Sequence, residues 1–109
     1  MTKNQIEEIL ERELSTIGPP ELRARVKRSV IDPVREVRKF ESNGKIAVGH
    51  LWIVCVLNAD VAIAFSSEAF GEPDLHWGLV FRSRDDFGSS GSWYRSLAEL
   101  VADCGDFES

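Results

Sequence analysis

His50, His76, Cys55 and Cys104 are the residues of this chain best suited to metal or nucleophile chemistry. A metal site needs three or four such ligands at short spacings, and the sequence has no HxH, HExxH or CxxC. His50 and Cys55 are five positions apart in an apolar, β-branched run. An odd offset on a strand puts two side chains on opposite faces, which argues against a shared ion. Cys55 lies in Ile53-Val54-Cys55-Val56 and Cys104 near the end of a helical pattern, so both read as small core residues. A buried thiol is a poor nucleophile. His50 reads as a hydrogen-bonded residue at the edge of the core. His76 follows Glu68, Glu72 and Asp74, and nearby carboxylates favour its charged form. That suits a partner contact better than catalysis. No catalytic residue, metal or cofactor is expected.

Two further motifs lead nowhere on their own. Asp86-Phe87-Gly88 spells the metal-binding tripeptide of protein kinases, but 109 residues cannot hold that fold and its companion motifs are missing. Gly88–Ser92 precedes a helical pattern, and helix N-termini bind anions. With Arg95 it could hold a phosphate, yet the lysine of a phosphate-binding loop is absent. A Ser N-cap on a polar loop is the simpler reading.

These residues must be held by one domain, 1–109, with one core. Ile6, Ile9, Leu10, Leu14 and Ile17 form a continuous helical stripe, and Thr2-x-x-Gln5 fits a capping box. Gly18-Pro19-Pro20 ends that helix, and Pro20 can open a second carrying Leu22, Val26 and Val30 on one side. Asp32-Pro33 is a boundary. Val34, Val37 and Phe40, spaced by three, then favour a third helix; an edge strand is the alternative. From Lys45 the period changes to two. Lys45–Leu57 reads as a central strand, Asn58-Ala59-Asp60 as a tight turn, Val61–Ser67 as its hairpin partner and His76–Arg82 as another strand. Trp93, Leu97, Leu100, Val101 and Cys104 predict a last helix from about Ser92, closed by Gly105. The expected fold is α+β: N-terminal helices, a small antiparallel β-meander of three to four strands, and a C-terminal helix.

Charge is unevenly distributed. The chain has 13 Lys and Arg against 18 Asp and Glu, for a net −5. Residues 1–45 hold 10 basic and 8 acidic side chains, and residues 46–109 hold 3 and 10. Arg23, Arg25, Lys27, Arg28, Arg35, Arg38 and Lys39 form a basic strip that could meet phosphates. It lacks interleaved aromatics, and the acidic total argues against a nucleic-acid domain. No stretch is apolar enough for a membrane span or secretory leader, and the expected location is the cytoplasm with reduced thiols. Phe70, Phe87 and Tyr94 fall outside the core periodicity and beside acidic loops. Aromatics ringed by carboxylates suit a protein interface.

Leu51-Trp52-Ile53-Val54, Phe70-Gly71, Trp77-Gly78-Leu79-Val80-Phe81 and Ser92-Trp93-Tyr94-x-x-Leu97 together resemble small bacterial toxin-immunity proteins, including those of contact-dependent inhibition. The resemblance spans about half the chain. It implies a small, cytosolic, non-catalytic protein that covers one toxin domain. The expected function is therefore a protein-binding module that neutralises a basic toxin. Its partner-binding residues would be Glu68, Phe70, Glu72, Asp74, His76, Asp85, Asp86, Phe87 and Tyr94. The alternatives are a nucleic-acid-associated regulator using the Arg23–Lys39 strip, and a small-ligand domain using His76 and Gly88–Ser92.

Overall fold

A computed structural model of the chain describes residues 2–42, 44–67, 69, 74–88 and 90–104. Helix α1 (Lys3–Leu14) starts at a complete capping box. The Thr2 hydroxyl accepts the Gln5 amide at 3.3 Å, and the Thr2 amide donates to Gln5 Oε1 at 2.7 Å. Its stripe of Ile6, Leu10 and Leu14 is buried, as is Ile17 just beyond. Each such side chain contributes about 1.5–3 kcal/mol. Helix α2 (Pro20–Ser29) has proline in its first turn and buries Val26.

The expected third helix is a strand. Strand β1 (Val30–Ser42) pairs antiparallel with β2 (Lys45–Val56) to form a long hairpin. The spacing of three that suggested a helix divides between two faces. Val34 lies opposite Ile53, and Phe40 opposite Ala47, on one face; Val37 lies opposite His50 on the other. β-Branched residues and a pre-proline Asp32 favour extended backbone, and pairing with β2 settles the choice.

Strands β3 (Val61–Phe65), β4 (Trp77–Phe81) and β5 (Trp93–Tyr94) complete one antiparallel sheet, ordered β1-β2-β3-β4-β5 among the described residues. The turn before β3 is held by Asn58, whose Oδ1 accepts the amides of Asp60 and Val61, both at 2.9 Å. Trp93 and Tyr94 were expected to open the last helix. They are instead extended, because the Trp93 indole lies directly over Gly78, where a Cβ would overlap it. Helix α3 (Leu97–Cys104) begins only after Ser96, whose hydroxyl accepts the Glu99 amide at 3.1 Å. The α+β class thus holds, with five strands among the described residues rather than three to four and a strand in place of the third helix.

One face of the sheet is covered by the three helices, which pack Ile6, Leu10, Val26, Leu97 and Leu100 against Val54, Ile63, Phe65 and Trp77. The other buries Leu51, Ile53, Ala62, Ala64 and Val80 under Phe87 and Trp93. A bulge between Ile53 and Cys55 lets Val54 and Cys55 both join the helix-side core. The alternation that placed Cys55 opposite His50 therefore breaks at Val54. No helix among the described residues is long and apolar enough to cross a membrane.

Candidate functional site

The segment after β4 turns back beneath the sheet and reaches the outer edge of β1. The Lys39 amide donates to the Asp85 carbonyl at 3.0 Å, and the Phe87 amide donates to the Lys39 carbonyl at 2.9 Å. Arg38 secures this return. It is only 4% exposed; its Nε donates to Glu36 at 2.8 Å, and its Nη1 donates to the carbonyls of Phe81 and Asp86 at 2.9 and 3.1 Å. Arg38, read as part of a solvated basic strip, is therefore a buried tie between β1 and the loop.

This closure occupies a single rung of β1. The Lys39 N–H and C=O both point away from β2, so Arg35 and Val37, at the same parity, turn theirs outward too. Among the described residues no strand pairs with them. Val34 and Val37 are 48% and 57% exposed along this edge, and Ile46 and Val48 are 76% and 63% exposed on the adjoining part of β2. Edge strands are normally blunted by charge or covered; here Arg35, Lys39 and Glu41 supply charge along the edge, and the exposed valines stand among them.

Beside the edge, α1 and β1 enclose a groove of about 530 Å³. Leu10, Leu14, Val30 and Ile31 supply its apolar wall, Glu7, Glu11 and Asp32 its acidic lip, and Lys27 the one cation among its lining residues. Asp32 is paired with Lys3 at 2.6 Å, which raises the Lys3 pKa through that hydrogen bond. Glu7 and Glu11 sit one helical turn apart on the exposed side of α1.

The structure describes six of the nine residues expected to bind a partner. Glu68, Phe70 and Glu72 lie outside the described residues. Phe87 is fully buried, with its ring 5.2 Å from Phe40 and 5.3 Å from Trp93, so it cannot serve as an exposed anchor. Its carbonyl accepts the Trp93 indole N–H at 2.7 Å. Asp86 is held by Arg84 at 2.6 Å and accepts the Gly88 amide at 3.1 Å. Tyr94 is half-buried and donates to Asp103 at 2.5 Å. His76 donates from Nδ1 to the Ser66 carbonyl at 3.0 Å and packs 5.7 Å from Phe65. Asp74 and Asp85 are exposed, the latter 3.7 Å from Lys39. They stand beyond opposite ends of β4.

The other candidates resolve as firmly. His50, expected at the core edge, is exposed on the hairpin. Cys55 is buried and not disulfide-bonded, and desolvation pushes its thiol up to about 11. The Gly88–Ser92 loop does not open a helix. It passes through a 3-10 turn at Ser90–Ser92 into β5. At the true start of α3, Glu13 of α1 accepts the Leu97 amide at 2.9 Å. A carboxylate therefore already occupies the place of the expected anion. Among the described residues, no three His, Cys, Asp or Glu side chains converge as metal ligands.

The open edge and its groove are hidden in the sequence because the spacing of Val34, Val37 and Phe40 also fits a helix. The β-branched residues and the pre-proline Asp32 are the signals that point to a strand. Compared with protein families, curated proteins and solved structures, the chain has no significant match.

Proposed function

We propose that the chain is a small, non-catalytic, cytoplasmic protein-binding module that neutralises a basic partner, in the manner of a toxin-immunity protein. The observation that carries this reading is the open edge of β1, with Val34 and Val37 exposed, beside an acidic-lipped groove. An extended segment of the partner adds to the edge at Arg35 and Val37, where main-chain hydrogen bonds supply affinity. Its apolar side chains enter the groove over Leu10 and Val30, and its cations meet Glu7 and Glu11. This mode makes no use of Phe87, which is buried. Asp74 and Asp85 remain available as acidic contacts at the rim, where charge acts mainly on association rate.

Purification of the tagged chain from its native host, eluted with a salt gradient, tests the reading. The expected result is a stoichiometric basic protein that is lost when Glu7 and Glu11 are changed to Lys. Retention of nucleic acid in place of protein, released steeply by salt, would support the Arg23–Lys39 strip instead. Unchanged capture by the Glu7→Lys/Glu11→Lys variant would remove the groove from the interface.

A further inference from the structure

The outer part of the β1–β2 hairpin carries a second surface, away from the groove and continuous with the edge through Ile46 and Val48. Four exposed side chains project from one face on two adjacent rungs: Lys39 opposite Val48, and Glu41 opposite Ile46. The strand alternation puts both rungs on the helix side of the sheet, yet the core packed by the helices begins only at Trp52. The face therefore has an apolar column on β2 and a column of one cation and one anion on β1. Nothing on it is charged in one sense only, so it offers little to a strongly basic or acidic partner.

We infer that this face binds a second copy of the chain, forming a two-fold dimer. Consider an axis lying across the strands, midway between the two rungs. Rotation about it stacks each strand on its own copy in the antiparallel sense. Lys39 then faces Glu41 of the second copy, and Ile46 faces its Val48. Each match occurs twice, as an isologous contact requires. Any axis through one rung would instead set Lys39 on Lys39 or Glu41 on Glu41. The pattern of the four residues therefore selects one register.

The dimer is small and fast to exchange. Ile46 and Val48 expose roughly 250 Å² of side-chain surface per copy, well below the ~800 Å² that each partner of a stable complex buries. The proposal does not rest on the partner function, although both draw on the exposed Ile46 and Val48.

Sedimentation equilibrium of the full chain tests it. The mean mass should rise from monomer toward dimer between about 10 µM and 1 mM. Val48→Glu, Lys39→Glu and Glu41→Lys should each weaken association at least tenfold. The decisive step is to mix the last two variants. One then presents two anions and the other two cations at the matched rungs, so a 1:1 heterodimer should form although neither variant self-associates. A purely structural role for these residues does not produce that rescue. A wild-type chain that stays monomeric at about 1 mM overturns the proposal. So does a dimer unaffected by Val48→Glu, or a mixture that remains monomeric.

Discussion

Replacing Arg38 with Met tests the closure of the sheet, because the guanidinium joins β1 to the loop that returns beneath it. Two of its hydrogen bonds are charge-assisted and go to the Phe81 and Asp86 carbonyls. Bonds of this kind contribute at least ~1.5 kcal/mol each, and truncation removes a donor from each carbonyl, although Phe81 keeps the Arg84 amide at 3.1 Å. The third contact, to Glu36, has a carboxylate side chain 38% exposed and adds under ~1 kcal/mol. Methionine refills the space of the apolar stem and returns about 1 kcal/mol. The net loss is about 3 kcal/mol. For a domain of this length that lowers Tm by roughly 12 °C. Urea unfolding followed by tryptophan fluorescence measures it, with Arg35→Met as the exposed control, expected within ~0.5 kcal/mol of wild type. If Arg38→Met costs less than about 1 kcal/mol and behaves like the control, Arg38 is a surface residue and the tie is wrong.

Other consequences follow from single contacts. Gly78→Ala places a methyl group in the Trp93 indole. It should cost about 1–3 kcal/mol and shift the tryptophan emission, whereas a wild-type spectrum and stability would deny the overlap. Glu13→Ala removes the cap on α3 and should cost about 1 kcal/mol, read by urea unfolding. Cys55 should resist thiol reagents at pH 8 until urea exposes it. Its folded pKa is about 11 against 9.0 for an unperturbed thiol, so its contribution is complete below pH 9. Stability should then fall as pH rises from 9 through 11, and a flat profile there in wild type relative to Cys55→Ala would contradict the assignment.

The sequence is most legible where one local signal has no competitor. The Thr2 capping box, the Ile6–Leu14 stripe, Pro20 at a helix start and the Asn58 turn all stand as expected. It misleads at β1 because Val34, Val37 and Phe40 satisfy a helical spacing by coincidence, while the pairing that decides the matter is supplied by β2. At Trp93 two local signals compete. The i, i+4 match of Trp93 to Leu97 draws the expected helix start too early. Ser96-x-x-Glu99 is itself a capping pattern, and the Ser96 hydroxyl does hold the Glu99 amide. Arg38 and Phe87 are beyond reach from sequence. One looks like a member of a solvated basic strip and the other like a loop aromatic. Each is buried only because residues 82–88 fold back across more than forty positions to β1. Of the residues expected to meet a partner, Phe87 is the one this return buries.

The most direct test of the binding function is site-specific photo-crosslinking in the native host. A photoreactive residue replaces Val37 on the open edge, and a second protein carries it at exposed Glu99 on α3. The expected result is one basic protein captured from Val37, at a level that falls with Glu7→Lys/Glu11→Lys, and none captured from Glu99. Equal capture at both positions, or capture at Glu99 alone, would contradict a partner site on the β1 edge.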